Sequence, residues 1–357
     1  MRCIISSLQP KKTVIMSQRP RIRDVAMVSG LSPATVDRVL NERPGVSAKA
    51  KRLVEAAIRE LAASPRRHMG EGAVYDVILP DRAGMSTDYL AAAFRKFAEA
   101  RGAEAKVTLV ERLNPDSLSR ALTRCAERGS AGIAFQAVED PAVRETASQV
   151  ISQGTPLVTV VSDLNGMGLQ YVGLDNRAAG RTAGYLMGLM AKGEGPVAVI
   201  WGGHLYRGHD EREFGFRSAL RGDHPGIEVL DVTCTQDDAD EAYDRLSELL
   251  AQRRSLAGVY SVGGGILGAV KALQRHHKND HKSVLIGHNL TANTRDHLLA
   301  RRIDALIHQD MLLIAEKSLN FLAGEDSSRR TREEIPIQIV TRENVSSHLR
   351  FELLGDV

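Results

Sequence analysis

Arg21-Ile22-Arg23-Asp24-Val25-Ala26-Met27-Val28-Ser29-Gly30-Leu31-Ser32-Pro33-Ala34-Thr35-Val36-Asp37-Arg38-Val39-Leu40-Asn41 reads as two short helices around a tight turn. Val25, Ala26 and Val28 give the first an apolar side, and Gly30 supplies a residue that takes positive φ at the turn. Ser32 is a natural N-cap with Pro33 at the first helical position. In the second helix Ala34, Val36, Val39 and Leu40 mix a buried face with the outward Thr35, Arg38 and Asn41. A third helix is expected from Ser47, with Ala50, Leu53, Val54, Ala57, Ile58 and Leu61 at three-and-four spacing. Three short helices with this punctuation predict a helix-turn-helix unit whose second helix enters the major groove. The residues expected at DNA are Ser32, Pro33, Ala34, Thr35, Arg38, Asn41 and Ser47; Pro33 and Ala34 would act by shape and contact with thymine methyl groups.

Charge points the same way. Residues 1–69 carry fourteen Lys/Arg against five Asp/Glu, a net +9, so the chain total of +3 leaves −6 for residues 70–357. A basic module of this kind attracts phosphates, while the acidic remainder is repelled, so DNA should meet only the N-terminal end.

At 357 residues the chain can bury a large core. The polar break Ser64-Pro65-Arg66-Arg67-His68-Met69-Gly70-Glu71-Gly72 predicts four parts. Residues 1–18 form a flexible arm, or an over-called start ahead of Met16; 19–65 form the DNA-binding unit; 66–72 form a short linker; 73–357 form a larger domain. Nothing approaches a membrane span, the start lacks the sustained apolar region of a secretory signal, and Cys3, Cys125 and Cys234 are too scattered for a disulfide framework or zinc cluster. A reducing cytoplasm is expected.

From Ala73 onward short apolar runs alternate with amphipathic helical segments. Val77-Ile78-Leu79, Val107–Val110, Gly132–Phe135, Pro156–Val161, Val197–Ile200, Gly258-Val259-Tyr260 and Val284-Leu285-Ile286 are the expected strands. This βαβα order predicts parallel sheets covered by helices on both faces, and a restart near Pro196 predicts two similar lobes. Ligands of such folds bind beyond the carboxyl ends of strands. Those ends are polar here, and Asp81, Gln136, Asp163, Arg212, Asn289 and Gln309 are the candidate cleft residues. Carboxylates, amides and a guanidinium suit a polyhydroxylated ligand, because each hydroxyl both donates and accepts. Trp201, Tyr206 and Phe214 are close to Arg212 in sequence and are candidates for stacking on a sugar face, with core packing as the default.

Other signals carry less. Gly263-Gly264-Gly265-Ile266-Leu267-Gly268 has the spacing of a dinucleotide fingerprint, but the next strand ends in Gly287-His288-Asn289 rather than the acidic residue that would hold a ribose. A tight strand-to-helix turn explains the glycines. His276-His277-Lys278-Asn279-Asp280-His281 reads as a solvated loop, and His204 and His209 are equally poor metal candidates. No cofactor, metal site or catalytic constellation is expected. The competing reading is a metabolite-converting or nicotinamide-dependent enzyme with an appended DNA-binding module, for which no nucleophile motif or phosphate loop is present.

The sequence resembles the lac repressor family of bacterial transcription regulators. Ile22–Ala26, Leu31–Val36, Arg38–Asn41 and Val46-Ser47 are similar to its DNA-reading signature. Asp175–Gly180, Arg212…Gly215-Phe216, Ile286–Asn289 and Gln309-Asp310 are similar to landmarks of its effector domain. The resemblance implies an N-terminal all-α helix-turn-helix domain followed by an α/β periplasmic-binding-protein-like domain of two parallel-sheet lobes. It further implies a homodimer on a near-palindromic operator, acting as a repressor whose DNA affinity changes when a small sugar or sugar-like effector closes the lobes. Three positions depart from the pattern. Asp37 stands where a serine is usual, a short basic linker follows Pro65 in place of the family's hinge helix, and Ser261–Gly265 replace an asparagine-aspartate pair after the Gly258-Val259-Tyr260 strand.

Overall fold

The computed structural model describes residues 25–26, 29–41, 43, 45–63, 72–191, 195–233, 237–252, 255–276, 283–325 and 331–348. Contacts divide the chain into residues 1–66 and 67–357. The expected linker lies almost wholly outside the described residues, as does most of the histidine-rich stretch after His276.

In the first unit Val25, Ala26 and Ser29 are helical, Gly30 turns the chain at φ +70°, and α1 runs Pro33–Leu40. The Ser32 hydroxyl oxygen accepts from the Thr35 amide at 3.2 Å and Pro33 opens the helix. A second helix, α2, spans Ala48–Ala63, and Ser47 Oγ accepts from the Ala50 amide at 3.1 Å. Val25, Ala26, Val36, Val54 and Ala57 form the small core, flanked by Leu31, Val39, Leu40 and Ile58. With few side chains in this core among the described residues, single caps matter. Ser32→Ala is expected to cost this unit about 1 kcal/mol, read as a lower melting transition for the DNA-binding unit with the larger domain unchanged.

The second unit contains two six-stranded sheets. One has the order β11-β5-β4-β3-β1-β2, built from β1 Val74–Pro80, β2 Glu104–Val110, β3 Gly132–Phe135, β4 Leu157–Val160, β5 Gln170–Gly173 and β11 Arg332–Glu334. The other has the order β12-β10-β9-β8-β6-β7, built from β6 Val197–Trp201, β7 Val229–Thr233, β8 Gly258–Ser261, β9 Val284–His288, β10 Ala305–His308 and β12 Gln338–Val340. Among the described residues all pairings are parallel except β10 with β12. Helices cover both faces, which is why β3, β4 and β8 are buried at every position.

The lobes do not follow sequence order. Helices α3 (Met85–Glu99), α4 (Pro115–Glu127) and α5 (Pro141–Ser152) belong to the first sheet. The chain then crosses, and α6 (Asn176–Met190) packs on β9, β10 and α7 (Arg207–Asp223). Helices α8 (Ala239–Gln252), α9 (Ile266–His276) and α10 (Ala292–Leu299) complete the second lobe. After β10 the chain returns, so that α11 (Met311–Leu322) packs on α3 and β4 and β11 extends the first sheet, and a third crossing leads to β12. Three crossovers therefore join the lobes, and the restart expected near Pro196 marks the first strand of the second sheet while its first helix begins twenty residues earlier.

Candidate functional site

The carboxyl ends of strands from both sheets face one cleft of about 340 Å³. Arg82 follows β1, Arg112 follows β2, Gln136 follows β3 and Val161 follows β4 on one side. Across from them stand Asp237 and Asp238 after β7, Gly263–Gly265 after β8 and Asn289 after β9, with Tyr206, His209 and Arg212 from the start of α7; Gln309 enters at the second crossover. Four of these residues, Arg82, Val161, Asp237 and Asn289, have φ between +49° and +64°. For a β-branched residue such as Val161 that backbone is costly, and such costs gather at binding sites.

Arg212 is 3% exposed and sits within a buried network. Its Nε donates to Asn176 Oδ1 at 2.8 Å and an Nη donates to the Val262 carbonyl at 3.0 Å. The Asn176 amide in turn donates to Tyr171 Oη at 3.1 Å and the Val161 carbonyl at 3.3 Å. Asn176 thus connects the cleft arginine of the second lobe to β5 and the end of β4 in the first, at the first crossover. Among the described residues no carboxylate forms an ion pair with Arg212, so this buried cation is held by neutral oxygens and faces a cleft rich in dipoles.

Several polar atoms in the same cleft are buried without a hydrogen-bond partner in the protein. They include Tyr206 Oη, His209 Nδ1, His288 Nδ1, Asn289 Oδ1 and both amide atoms of Gln309, whose side chain is only 1% exposed. Buried polar groups are normally satisfied, so this concentration marks a surface built to receive donors and acceptors from elsewhere. Arg112 spans the cleft: it donates to the Arg82 carbonyl at 3.2 Å and the Asp237 carbonyl at 3.1 Å, and lies 3.8 Å from the Asp238 carboxylate.

Gln136, Arg212, Asn289 and Gln309 are brought together here; Asp81 and Asp163 are not. Asp163 turns back into its own lobe, accepting from Thr159 Oγ1 and the Leu164 amide, each at 2.8 Å, and pairing with Arg332 at 2.9 Å. Asp81 pairs with its neighbour Arg82 at 3.4 Å near the rim. Of the aromatics, Tyr206 lines the cleft, Trp201 packs edge-on to His204, and Phe214 is solvent-exposed beneath the Arg177 guanidinium. Sequence reasoning missed Arg112, Asp237 and Asp238 as cleft residues, although each lies beyond a strand end, and set aside His209 as a metal candidate.

In the first unit Ser32, Pro33, Ala34, Arg38, Asn41 and Ser47 are exposed and Thr35 is half-buried. Asp37, the departure from the family pattern, pairs with Arg43 at 3.3 Å and accepts from the Asn41 amide at 2.7 Å. Its charge is therefore matched from beyond the helix end, and Arg38 is left facing solvent.

Residues 21–65 match the family described as "Bacterial regulatory proteins, lacI family", and residues 76–324, more than half the chain, match the periplasmic binding protein domain. The chain belongs to the lacI family of bacterial regulators, with a periplasmic-binding-protein effector domain. No curated protein matches it. Among solved structures this regulator is similar to a solute-binding protein of an ABC transporter from Burkholderia graminis in complex with D-arabinose, with TM-score 0.72 and 20% identity over 78% of this chain and 98% of that one. The arabinose-binding protein AraP from Geobacillus stearothermophilus gives TM-score 0.63 and 24% identity over 77% and 99%. A Bacteroides fragilis protein assigned as a LacI transcriptional regulator gives TM-score 0.69 and 18% identity over 77% and 99%. At these identities the likeness is one of fold. Among the described residues of the regulator, no helix is long and apolar enough to cross a membrane.

Burial also sets protonation in the effector domain. It lowers the pKa of His209, and lowers those of His288 and His308 further, the last to about 4. The unfolded chain takes up protons near pH 6.5 that these sites refuse, so stability is full above that pH and is lost as the pH falls toward 4. His308 alone is expected to withdraw about 2 kcal/mol between pH 7 and pH 5. Thermal melts across this range check it, and an unchanged melting temperature at pH 5 would contradict neutral burial.

Proposed function

We propose that the regulator binds a near-palindromic operator as a homodimer, probing DNA with Ser32, Pro33, Ala34, Thr35, Arg38, Asn41 and Ser47, and that a neutral sugar or sugar derivative held between the lobes sets its operator affinity. The observation that carries the effector half of this reading is the cluster of unpartnered buried polar atoms on His209, His288, Asn289 and Gln309 beside Arg212. The five atoms on these four side chains match a ligand that offers several hydroxyls at close spacing. Gln136 and Arg112 extend the polar lining on the first lobe.

For the DNA half, Ser47 is apt for a phosphate: its oxygen is engaged by the Ala50 amide, while its hydroxyl proton remains a donor at the start of α2. One helix-turn-helix reads one half-site, so two copies about 34 Å apart are needed for a palindrome.

The test is a selection of operator sequences from random duplex DNA with the full chain, followed by a thermal-shift screen of neutral sugars. Recovery of an inverted repeat, together with a sugar that raises the melting temperature and alters operator affinity without being chemically converted, is the expected outcome. Turnover of the sugar would favour an enzyme, and selection of no sequence motif would reject operator recognition.

A further inference from the structure

The loop after β8 is where this regulator departs from its relatives within the cleft. Gly263, Gly264 and Gly265 offer no side chain where the resemblance places an asparagine-aspartate pair. The room they leave is taken by two residues from elsewhere in the second lobe. A β-carbon at Gly263 would lie 2.5 Å from Asp237 Oδ1 and from His209 Cε1, and one at Gly264 would collide with the Asp237 carbonyl oxygen. The Gly264 amide donates to Asp237 Oδ1 at 2.9 Å, fixing that carboxylate. Its other oxygen faces His209 Nε2 at 3.6 Å. The glycines are thus what lets an Asp–His pair stand at this end of the cleft.

The His209 ring has a defined direction. It is 8% exposed and meets the Tyr206 ring edge-on, with centroids 5.4 Å apart. A carboxylate facing Nε2 draws the proton of a neutral imidazole to that nitrogen and leaves Nδ1 as a bare acceptor. That Nδ1 is buried and has no partner in the protein. Burial, the largest influence, and the Arg212 charge keep the ring neutral, against Asp237 and Asp210, which favour the cation; His288 and Tyr206 are the other titratable groups beside it. A histidine kept for packing alone would not need a buried nitrogen left bare.

We propose that His209, oriented by Asp237 and admitted by Gly263, is a specificity-determining residue of the effector site, its Nδ1 accepting a hydrogen bond from a hydroxyl of a neutral sugar. The role that the resemblance gives to side chains after β8 has moved to the start of α7. This assignment rests on the sugar-effector reading above.

Two measurements test it. The first needs no ligand: long-range ¹⁵N–¹H correlation spectra of the histidine rings in the full-length protein at pH 7, with His209 assigned by its loss in His209→Asn. The Nε2–H tautomer with unprotonated Nδ1 is expected, and an Nδ1–H tautomer or an imidazolium overturns the proposal. The second is calorimetry with D-arabinose, D-tagatose, D-glucose and D-galactose. Any of these that binds the wild type should bind His209→Leu at least tenfold more weakly. His209→Asn, whose amide oxygen reaches the place of Nδ1, should recover most of the affinity, whereas His209→Gln, which reaches the place of Nε2, should not. Equal affinity of the wild type and His209→Leu overturns the proposal. Binding of none of the four sugars counts against the sugar reading itself, and the tautomer then decides the assignment of His209.

Discussion

Arg212→Ala is expected to weaken effector binding by about 1–3 kcal/mol, or roughly 5- to 150-fold, the range for a lost charge-assisted hydrogen bond. The guanidinium is buried at the cleft, where its strength as a donor is not diluted by water. Its removal also takes the donor away from Asn176 Oδ1, so the contact that joins the cleft to Tyr171 and Val161 of the other lobe loosens. Arg212→Lys should not rescue, because a single ammonium on a flexible stem does not reproduce the guanidinium's fixed fork, which here reaches Asn176 and the Val262 carbonyl at once. Calorimetry on both folded variants checks this; wild-type affinity in Arg212→Ala would remove Arg212 from the site.

Gly180→Ala is the substitution expected to cost most stability for its size. Helices α6 and α7 press together through their glycines: a β-carbon at Gly180 would collide with the Arg212 carbonyl oxygen, and one at Gly215 with that of Arg177. Neither obstacle is a flexible side chain that can swing away, so the helices must separate. Overpacking of this kind costs about 2 kcal/mol or more, a fall of roughly 5 °C or more in the melting temperature of a domain this large. Because the backbone displaced is that of Arg212, effector affinity should fall with stability. Gly222→Ala in the same helix α7, where a β-carbon meets nothing within 4 Å, is the control: it should leave effector affinity unchanged and lower stability not at all, a gain of up to about 1 kcal/mol being expected of an unobstructed helical Gly→Ala.

The helix-turn-helix unit was legible because its signals are local: a cap, a proline, a turn glycine and one apolar face lie within a few residues of each other. The alternation of buried strands with helices was legible for the same reason, and the strand-end rule found Gln136, Asn289 and Gln309. Asp163 resembles them in sequence, yet its partner Arg332 is 169 residues away, and no local pattern announces that pairing. The partner of Asp37 illustrates helix geometry. Adjacent residues on a helix diverge, so Arg38 turns away, and Arg43 folds back from beyond the helix end. His209 went unread because its meaning depends on Asp237 and Gly263, which arrive from two other loops. The division into lobes was legible in outline only, since α6 and α11 each pack with the sheet on the far side of a crossover.

The central claim is that occupation of the cleft controls DNA binding. Operator duplex selected with the full chain should be titrated with and without the sugar that most raises its melting temperature, at one fixed salt concentration because phosphate contacts make affinity salt-dependent. At least a tenfold difference in operator affinity is expected, and Arg212→Ala should need a roughly 5- to 150-fold higher sugar concentration to show it. Identical operator affinity with the cleft saturated and empty would contradict the account.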